Sequence, residues 1–221
     1  KGNNYQAQPR SYLYHEPAVR RANRNNFLAF EQMIDRMDTL FVNGHTIDKL
    51  EIIVEGGTYT EYPMEYLNDF NRDTYYAANT YFDYSEKEPK KRLSIQLEQE
   101  INEGAKCHIV GITLETRPDQ ITPEQLLRCL RYGVTRIQIG IQHTNNSILK
   151  KINRQCSIER VYEACYMIKE ANIKLQTHWM PNLPGATPDL DKEMFDELNY
   201  NPLLSLLFVR VSKPKINCVS K

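Results

Sequence analysis

The chain has 221 residues, of which 41% are hydrophobic, so it can bury one sizeable core and a single domain is expected. Its 28 basic and 28 acidic residues cancel, which excludes a strong overall attraction to nucleic acid, membranes or acidic substrates. The five cysteines are odd in number and widely spaced, which argues against a disulfide framework and a local zinc motif. Without an 18-residue apolar run or an apolar leader, the sequence predicts no membrane span and a cytoplasmic, alternatively nuclear, protein.

The first half of the chain predicts three helices around one strand. Apolar residues at helical spacing predict one long helix from Glu16 to about Phe41, and Asn43-Gly44 is a typical stop signal. The short β-branched run KLEIIVEGG, residues 49–57, predicts a buried strand. Two further helices are predicted at residues 64–82, directly after Pro63, and at residues 90–104.

The second half of the chain alternates strands with helices. Thr122 before Pro123, and Gly133 eleven positions later, are typical start and stop residues of a helix (133 − 122 = 11). Short apolar strands separated by helices predict an α/β fold with a parallel sheet, either doubly wound or curled into a barrel. The predicted elements are strand 108–118, helix 122–133, strand 136–142, helix 157–172, strand 174–184 and helix 187–198.

Polar or glycine clusters follow each of the four predicted strands. In a parallel α/β fold, ligands bind at the carboxyl ends of the strands, so these clusters predict a binding rim. Glycine has no Cβ, so adjacent glycines at a strand end allow a ligand to approach the backbone closely. The clusters are Gly56-Gly57-Thr58, Glu115-Thr116-Arg117, Gln142-His143, and His178 with Met180-Pro181.

Four longer stretches carry a resemblance to a known family. DKLEIIVEGGT, GITLETRPD, GVTRIQIGIQ and HWMPNLPGATPDLDKEMF, in this order, resemble the radical S-adenosylmethionine (SAM) domain of the Elongator catalytic subunit family, from about Ser11 to Pro202. The resemblance implies a partial (βα)6 TIM-like barrel that uses SAM and a [4Fe-4S] cluster. It also implies an acyltransferase-class enzyme that consumes acetyl-CoA to carboxymethylate carbon 5 of the tRNA wobble uridine, with tRNA and Elongator-type subunits as partners.

The resemblance also implies which residues bind the cofactors. Lys49 is the residue expected to contact acetyl-CoA, since a fixed cation suits its phosphates. Glu115 and Arg117 point to the same side of an extended strand, where they are expected to hold ribose and carboxylate groups. No residue is assigned as catalytic and none as a metal ligand. The residues expected around SAM are Gly56, Gly57, Thr58, Glu115, Arg117, Gln142 and His178.

Basic residues in two helical segments are candidates for contacts with the tRNA backbone. Phosphate contacts dominate the affinity of proteins for nucleic acids, so clusters of lysine and arginine on a surface favour this interpretation. Solvated helix faces are the equally supported alternative. The candidates are Arg20, Arg21 and Arg24 in the first helix, with Lys90, Lys91 and Arg92 at the start of another.

Several features depart from the family pattern. None of the five cysteines has the spacing of the family's cluster loop, so this chain is expected to begin after that loop and the first strand. It is expected also to lack the last strand and the acetyltransferase-like domain, and to be inactive alone. Gln138 stands where glutamate is expected and His143 where serine is usual. The expected organisation is a polar segment at 1–15, the partial barrel at 16–202 and a divergent tail at 203–221.

Two other functions remain open at this point. The first is a non-catalytic barrel remnant that binds tRNA or partner proteins. The second is an unrelated barrel hydrolase or lyase that uses Glu115, Arg117 and His178 without any cluster. Cluster cysteines upstream of Lys1 separate the enzyme from the remnant, and SAM binding separates it from the hydrolase or lyase.

Overall fold

The computed structural model describes residues 12–56, 58–83, 89–201 and, without their side chains, 208–211. Among these residues, two 3-10 turns occur, Tyr59–Glu61 and Pro118–Gln120. In the described part, no helix is long and apolar enough to cross a membrane. The helices and strands are α1 (Pro17–Arg24), α2 (Ala29–Val42), β1 (Lys49–Val54), α3 (Met64–Thr80), α4 (Ile95–Glu103), β2 (His108–Thr116), α5 (Pro123–Arg131), β3 (Arg136–Gln142), α6 (Asn146–Lys151), α7 (Ile158–Glu170), β4 (Lys174–Trp179), α8 (Pro188–Tyr200) and β5 (Phe208–Val211).

The five strands form one sheet in the order β1-β2-β3-β4-β5. The pairs β2–β3, β3–β4 and β4–β5 are all parallel, which confirms the α/β fold with a parallel sheet. The sequence predicts four strands, and the structure adds β5, which falls within the 203–221 segment. A four-residue strand in an apolar run shows too few alternations for its sequence to distinguish it from a helix or loop.

The chain divides into two compact units, and β2 contributes to both. Unit 1 consists of the described parts of Lys1–Ile112 with Arg131–Gly133, and unit 2 of the described parts of Thr113–Leu130 and Val134–Lys221. In unit 1, α3 packs against both α2 and α4. The core of this unit contains Phe30, Met37, Ile47, Leu50, Tyr76, Ala77, Ala78 and Cys107.

The predicted long helix at 16–41 is wrong, because the structure has two helices there. Asn26 and Phe27 adopt left-handed backbone angles, with φ of 49° and 58°, which end α1. The Asn25 side chain holds this break: its Nδ2 donates to the Arg21 carbonyl at 2.9 Å and to Asp35 Oδ2 at 2.8 Å. An asparagine that bonds its own backbone competes with the helical hydrogen-bond ladder, so the helix breaks at this site.

The basic residues Lys90, Lys91 and Arg92 do not start a helix, contrary to the prediction. The helix α4 begins at Ile95, and the Ser94 hydroxyl caps it by accepting a hydrogen bond from an N–H of its first turn. The three basic residues lie before this cap, outside any helix or strand, and the Lys90 carbonyl accepts a hydrogen bond of 2.6 Å from the Tyr76 hydroxyl. Serine is a good N-cap residue and lysine is not, so the helix begins after Ser94 and not at Lys90, four positions earlier.

The start and stop residues predicted for the helix at 122–133 are confirmed, and a threonine also caps the helix predicted at 187–198. Thr122 Oγ1 accepts from the Gln125 amide at 3.3 Å at the start of α5, and Gly133 follows this helix with φ of 77°. Thr187 Oγ1 accepts from the Leu190 amide at 3.3 Å at the start of α8.

The sheet of unit 2 has one apolar and one polar face. In the strand register, Leu114 of β2 lies beside Ile137 of β3, which lies beside Leu175 of β4, and all three are buried. The helix α7 packs against β3 and β4. Because side chains alternate along a strand, the intervening residues face the other side. That polar face carries Thr113, Glu115, Arg136, Gln138, Gly140, Gln176 and His178.

Candidate functional site

The strand end of unit 1 carries the predicted glycine pair. Gly56 is exposed just after β1, and its carbonyl accepts a hydrogen bond of 2.9 Å from the Thr58 amide; Gly57 lies outside the described residues. A Cβ added at Gly56 would lie 3.9 Å from the Tyr62 hydroxyl, an ordinary contact, so packing within the protein does not require glycine there. The backbone at Gly56 is therefore open to close approach by another group.

Lys49 does not lie beside the glycine pair. It is the exposed first residue of β1, whereas Gly56 follows the last residue of that strand. At about 3.3 Å of rise per residue, the two ends are about 20 Å apart. A ligand held by both residues would therefore have to extend along the whole strand.

In unit 2, Glu115 and Arg117 mark the end of β2. Glu115 lies beside Gln138 of β3 on the polar face. Arg117 follows the strand, and its Nε and Nη2 donate to the two carboxylate oxygens of Asp119 at 2.9 and 2.6 Å. This two-point ion pair fixes the guanidinium orientation and offsets its charge.

Gln142 ends β3 in a strained conformation. Its φ is 75°, which is uncommon for a residue other than glycine, and its carbonyl accepts a hydrogen bond of 2.8 Å from the Met180 amide. The register shifts by one residue here, because Gly140 lies beside His178 while Gln142 lies beside Trp179. The side-chain Oε1 of Gln142 is buried and has no hydrogen-bond partner within the described residues. Backbone strain combined with an unmatched polar atom is typical of ligand-binding positions.

The structure adds a residue that the sequence does not reveal, Arg154 in the loop after α6. Its Nη2 donates to the Gly140 carbonyl at 2.6 Å, while its buried Nε has no partner in the described part of the chain. A Cβ on Gly140 would lie 2.6 Å from Gln142 Nε2 and 3.1 Å from Arg154 Nη2, so both side chains lie over this glycine. Burial, and then the nearby charge of Arg117, lower the pKa of Arg154. A guanidinium in this setting favours an anionic partner such as a carboxylate.

His143 connects the loops that follow β3 and β4. It is 1% exposed, its Nδ1 accepts from the Asn145 amide at 3.0 Å, and its Nε2 lies 3.4 Å from Asp191 Oδ1. The other carboxylate oxygen of Asp191 accepts from the Asn182 amide at 2.8 Å. Because Nδ1 accepts a hydrogen bond, the neutral ring carries its proton on Nε2, directed toward Asp191. Burial lowers the pKa of His143, while the charge of Asp191 partly opposes that shift.

We expect His143 to make stability depend on pH. Its ordinary pKa is 6.5 and the folded value is lower, so the unfolded chain binds more protons between the two values. The contribution is fully present above pH 6.5 and is lost as the pH falls through the folded pKa. The slope is at most about 1.4 kcal/mol per pH unit. Urea denaturation between pH 7.5 and 5 should show this loss in the wild type relative to His143→Gln. Equal pH profiles would contradict the prediction.

The described residues differ in their fit to the two implied cofactors. They contain no group of three or more histidine, cysteine or acidic side chains that could hold a metal. Burial raises the pKa of the thiols of Cys107 and Cys129 to about 11 and that of Cys165 to about 12, opposite to what a thiolate ligand needs. A [4Fe-4S] cluster therefore does not fit among these residues. SAM fits better, because its ammonium and carboxylate match the unmatched Gln142 oxygen and the Arg154 guanidinium.

The basic candidates for RNA contacts are only partly available. The Arg24 guanidinium pairs at two points with Asp35, at 2.7 Å each. Arg92 lies over the rings of Phe30 and Tyr76, with its Cζ 5.2 and 4.7 Å from their centroids, and its Nε is 3.2 Å from Asp73. Cations held in this way are poorly placed to bind phosphate. The remaining candidates are half-buried Arg21, exposed Arg20 and Lys91, and exposed Lys90, whose Nζ lies 3.9 Å from Asp83 Oδ2.

Comparisons with known proteins agree with this architecture. A family model described as the radical SAM superfamily matches residues 77–198. The chain is 36% identical over 194 residues to a tRNA uridine(34) acetyltransferase of Methanocaldococcus infernus, covering 88% of this chain and 35% of that protein. It is 33% identical over 198 residues to human Elongator complex protein 3, covering 90% of this chain and 35% of that protein. The chain thus spans about a third of the length of these relatives.

Solved structures show the same likeness. The archaeal Methanocaldococcus infernus Elp3 with an N-terminal deletion matches with a TM-score of 0.79 and 32% identity, over 87% of this chain and 43% of that one. Coproporphyrinogen III oxidase of Escherichia coli, a radical SAM enzyme, matches with a TM-score of 0.51 and 18% identity over 87% of this chain and 38% of that one, which shows the fold alone. The radical SAM superfamily model matches more than half of the residues of this chain, and the paired strands β2, β3 and β4 are parallel as predicted. The chain therefore belongs to the radical SAM superfamily.

Proposed function

We propose that this chain is the SAM-binding barrel portion of an enzyme that modifies uridine in tRNA. The observation that carries the proposal is the polar face of unit 2, which ends in strained Gln142 with an unmatched buried oxygen and the Arg154 guanidinium beside it. Similarity to tRNA uridine(34) acetyltransferases and to Elongator complex protein 3 supports tRNA uridine as the substrate. The finer reaction we propose is acetyl-CoA-dependent carboxymethylation at carbon 5 of the wobble uridine.

The side chains of unit 2 would bind and orient SAM. A carboxylate such as Glu115 is suited to accept hydrogen bonds from ribose hydroxyl groups, and Arg154 is suited to pair with the cofactor carboxylate. The unmatched Oε1 of Gln142 would accept a hydrogen bond from the cofactor ammonium, while Arg117 and His178 line the same strand ends. When bound, SAM supplies the radical chemistry of the superfamily. The protein contributes a fixed orientation of the reacting groups and exclusion of water.

The remaining assignments are also proposals. Gly56, Gly57 and Thr58 would leave the backbone bare for the amino-acid end of SAM, and Lys49 would contact acetyl-CoA. We place no ligand of the [4Fe-4S] cluster among the described residues. Residues 16–202 would form the barrel, flanked by segments 1–15 and 203–221. The partners we propose are Elongator-type subunits and tRNA, whose backbone would meet exposed Arg20, Lys90 and Lys91 and half-buried Arg21. Arg24 and Arg92 would join them only by exchanging their carboxylate partners for phosphate.

SAM binding to the purified chain tests this proposal. Calorimetric titration should detect binding to the wild type and an affinity about tenfold lower for Gly140→Ala, a loss of about 1.4 kcal/mol. The added Cβ would displace the Gln142 amide and the Arg154 guanidinium from their places over Gly140. Gly104→Ala is the matched control, because its added Cβ would have nothing nearer than the Ile101 carbonyl at 4.0 Å. A wild type that binds no SAM would refute the proposal and favour the non-catalytic barrel remnant.

A further inference from the structure

Two glutamine side chains form a directed pair on the polar face of unit 2. Gln138 of β3 and Gln176 of β4 are register partners, and Gln138 Nε2 donates to Gln176 Oε1 at 2.9 Å. Gln138 is 4% exposed, and its Oε1 is buried with no hydrogen-bond partner in the described ranges. Buried amide oxygens in native proteins nearly always have a partner, so an unmatched one indicates a ligand that completes it.

In the structure, the Oε1 end of the Gln138 amide is the end left unmatched. Turning Gln138 alone would direct its carbonyl oxygen at Gln176 Oε1 and lose the bond, whereas turning both amides together would keep one, from Gln176 Nε2 to Gln138 Oε1. With Gln176 oriented as in the structure, Gln138 presents a hydrogen-bond acceptor, and the partner that completes it is an N–H or O–H group of a ligand.

The acceptor lies in a defined row of the sheet. Glu115 of β2 is the register partner of Gln138, so Glu115, Gln138 and Gln176 form one polar row across three strands. Gly140 and His178 lie two residues further along their strands, at the end where the cofactor contacts are proposed. Thr113, two residues before Glu115 on the same face, has a second buried oxygen without a partner in the described part of the chain. Thr113 Oγ1 and Gln138 Oε1 thus lie on the same face of the sheet, before the strand ends at which SAM is proposed to bind. A molecule other than SAM would have to reach these two oxygens.

We propose that the buried Oε1 of Gln138 accepts the N3–H of a uracil base and that Gln176 is its positioning residue; this inference rests on the proposed function. Uracil is neutral and carries a hydrogen-bond donor at N3, whereas cytosine has a lone pair there. A fixed acceptor opposite N3 therefore attracts uracil and repels cytosine. An uncharged amide suits a neutral base, since the site demands no compensating charge. A single-stranded loop can present the base by unstacking it.

Base discrimination by RNA binding tests the inference. Two synthetic anticodon stem-loop RNAs, identical except for uridine or cytidine at position 34, would be titrated with the chain and followed by fluorescence anisotropy. The wild type should bind the uridine RNA about tenfold more tightly than the cytidine RNA. Gln138→Leu should bring this ratio to about 1 by weakening the uridine complex alone, because phosphate contacts are unchanged. Gln176→Leu should lower the ratio partly, and exposed Gln96→Leu should leave it unchanged.

The outcomes separate this inference from the proposed function. Circular dichroism and thermal melting would establish that each variant is folded. A folded Gln138→Leu variant that keeps the wild-type ratio of uridine to cytidine RNA affinity would overturn the inference. If that variant lost only its affinity for SAM, Gln138 Oε1 would instead accept a hydrogen bond from a hydroxyl or ammonium group of the cofactor. A wild type that binds SAM but does not distinguish the RNAs would overturn the inference and leave the proposed function standing. A wild type that binds neither SAM nor RNA would refute both.

Discussion

Replacement of Asn102 by alanine is expected to lower the free energy of unfolding by about 4 kcal/mol. The side chain is 4% exposed, and its Nδ2 donates to Asn79 Oδ1 at 2.7 Å and to the Cys107 carbonyl at 3.0 Å. Its Oδ1 accepts from the Ile109 amide at 2.8 Å. Truncation leaves three polar groups without partners, each at a cost of about 1–3 kcal/mol. The measurement is urea denaturation followed by circular dichroism.

Asn199 provides the matched control for this substitution. It also lies within a helix, but it is exposed and its Nδ2 makes one hydrogen bond, of 2.7 Å, to the Phe195 carbonyl. Asn199→Ala should change stability by less than about 0.5 kcal/mol, because water replaces that bond and alanine favours the helix. If Asn102→Ala and Asn199→Ala lowered the free energy of unfolding by the same small amount, the hydrogen bonds of Asn102 would not hold α4 against the start of β2 within unit 1.

Gly133→Ala is expected to cost about 3 kcal/mol for two separable reasons. The backbone of Gly133 has φ of 77°, a left-handed conformation that costs other residues about 1–2 kcal/mol. An added Cβ would also overlap the Tyr75 hydroxyl and lie 3.2 Å from Gln99 Nε2. Overpacking of this kind typically costs about 1–3 kcal/mol.

Gly44 separates the two contributions. Its φ is 83° but nothing lies within 4 Å of an added Cβ, so Gly44→Ala should cost only about 1 kcal/mol. Adding Tyr75→Phe to Gly133→Ala should restore part of the loss, because the overlapping atom is the hydroxyl. Equal costs at the two glycines would show that backbone strain alone decides the effect.

Local sequence patterns predict the parts of this fold that depend on neighbouring residues. The caps at Thr122 and Thr187 depend on amides three residues away, so spacing alone identifies them. The parallel strands follow from the alternation of short apolar runs with helices, and the isoleucine face of β3 follows from its two-residue period. The predicted positions of Glu115, Gln142 and His178 at neighbouring strand ends agree with unit 2, while their roles in binding SAM stay predictions.

Contacts between distant residues could not be predicted from such patterns. The break after α1 depends on a hydrogen bond from Asn25 to Asp35, ten residues later, so helical periodicity alone misses it. Arg154 reaches Gly140 across 14 residues of loop and helix, and nothing in its own neighbourhood indicates this (154 − 140 = 14). The position of Lys49 was accessible to sequence reasoning, because a residue that begins a strand cannot lie at the strand's other end.

The extra residue between Gly140 and Gln142 affects how homologous chains should be compared. Over the same length, β3 contains one residue more than β4, so Ile141 has no partner of its own in the register. An alignment that places its gap one column away would equate Ile141, an apolar core residue, with the polar residue at a homologue's strand end. Residue-by-residue transfer of binding roles onto this chain is therefore secure only when superposed backbones, and not letter matches, define the columns around this strand end.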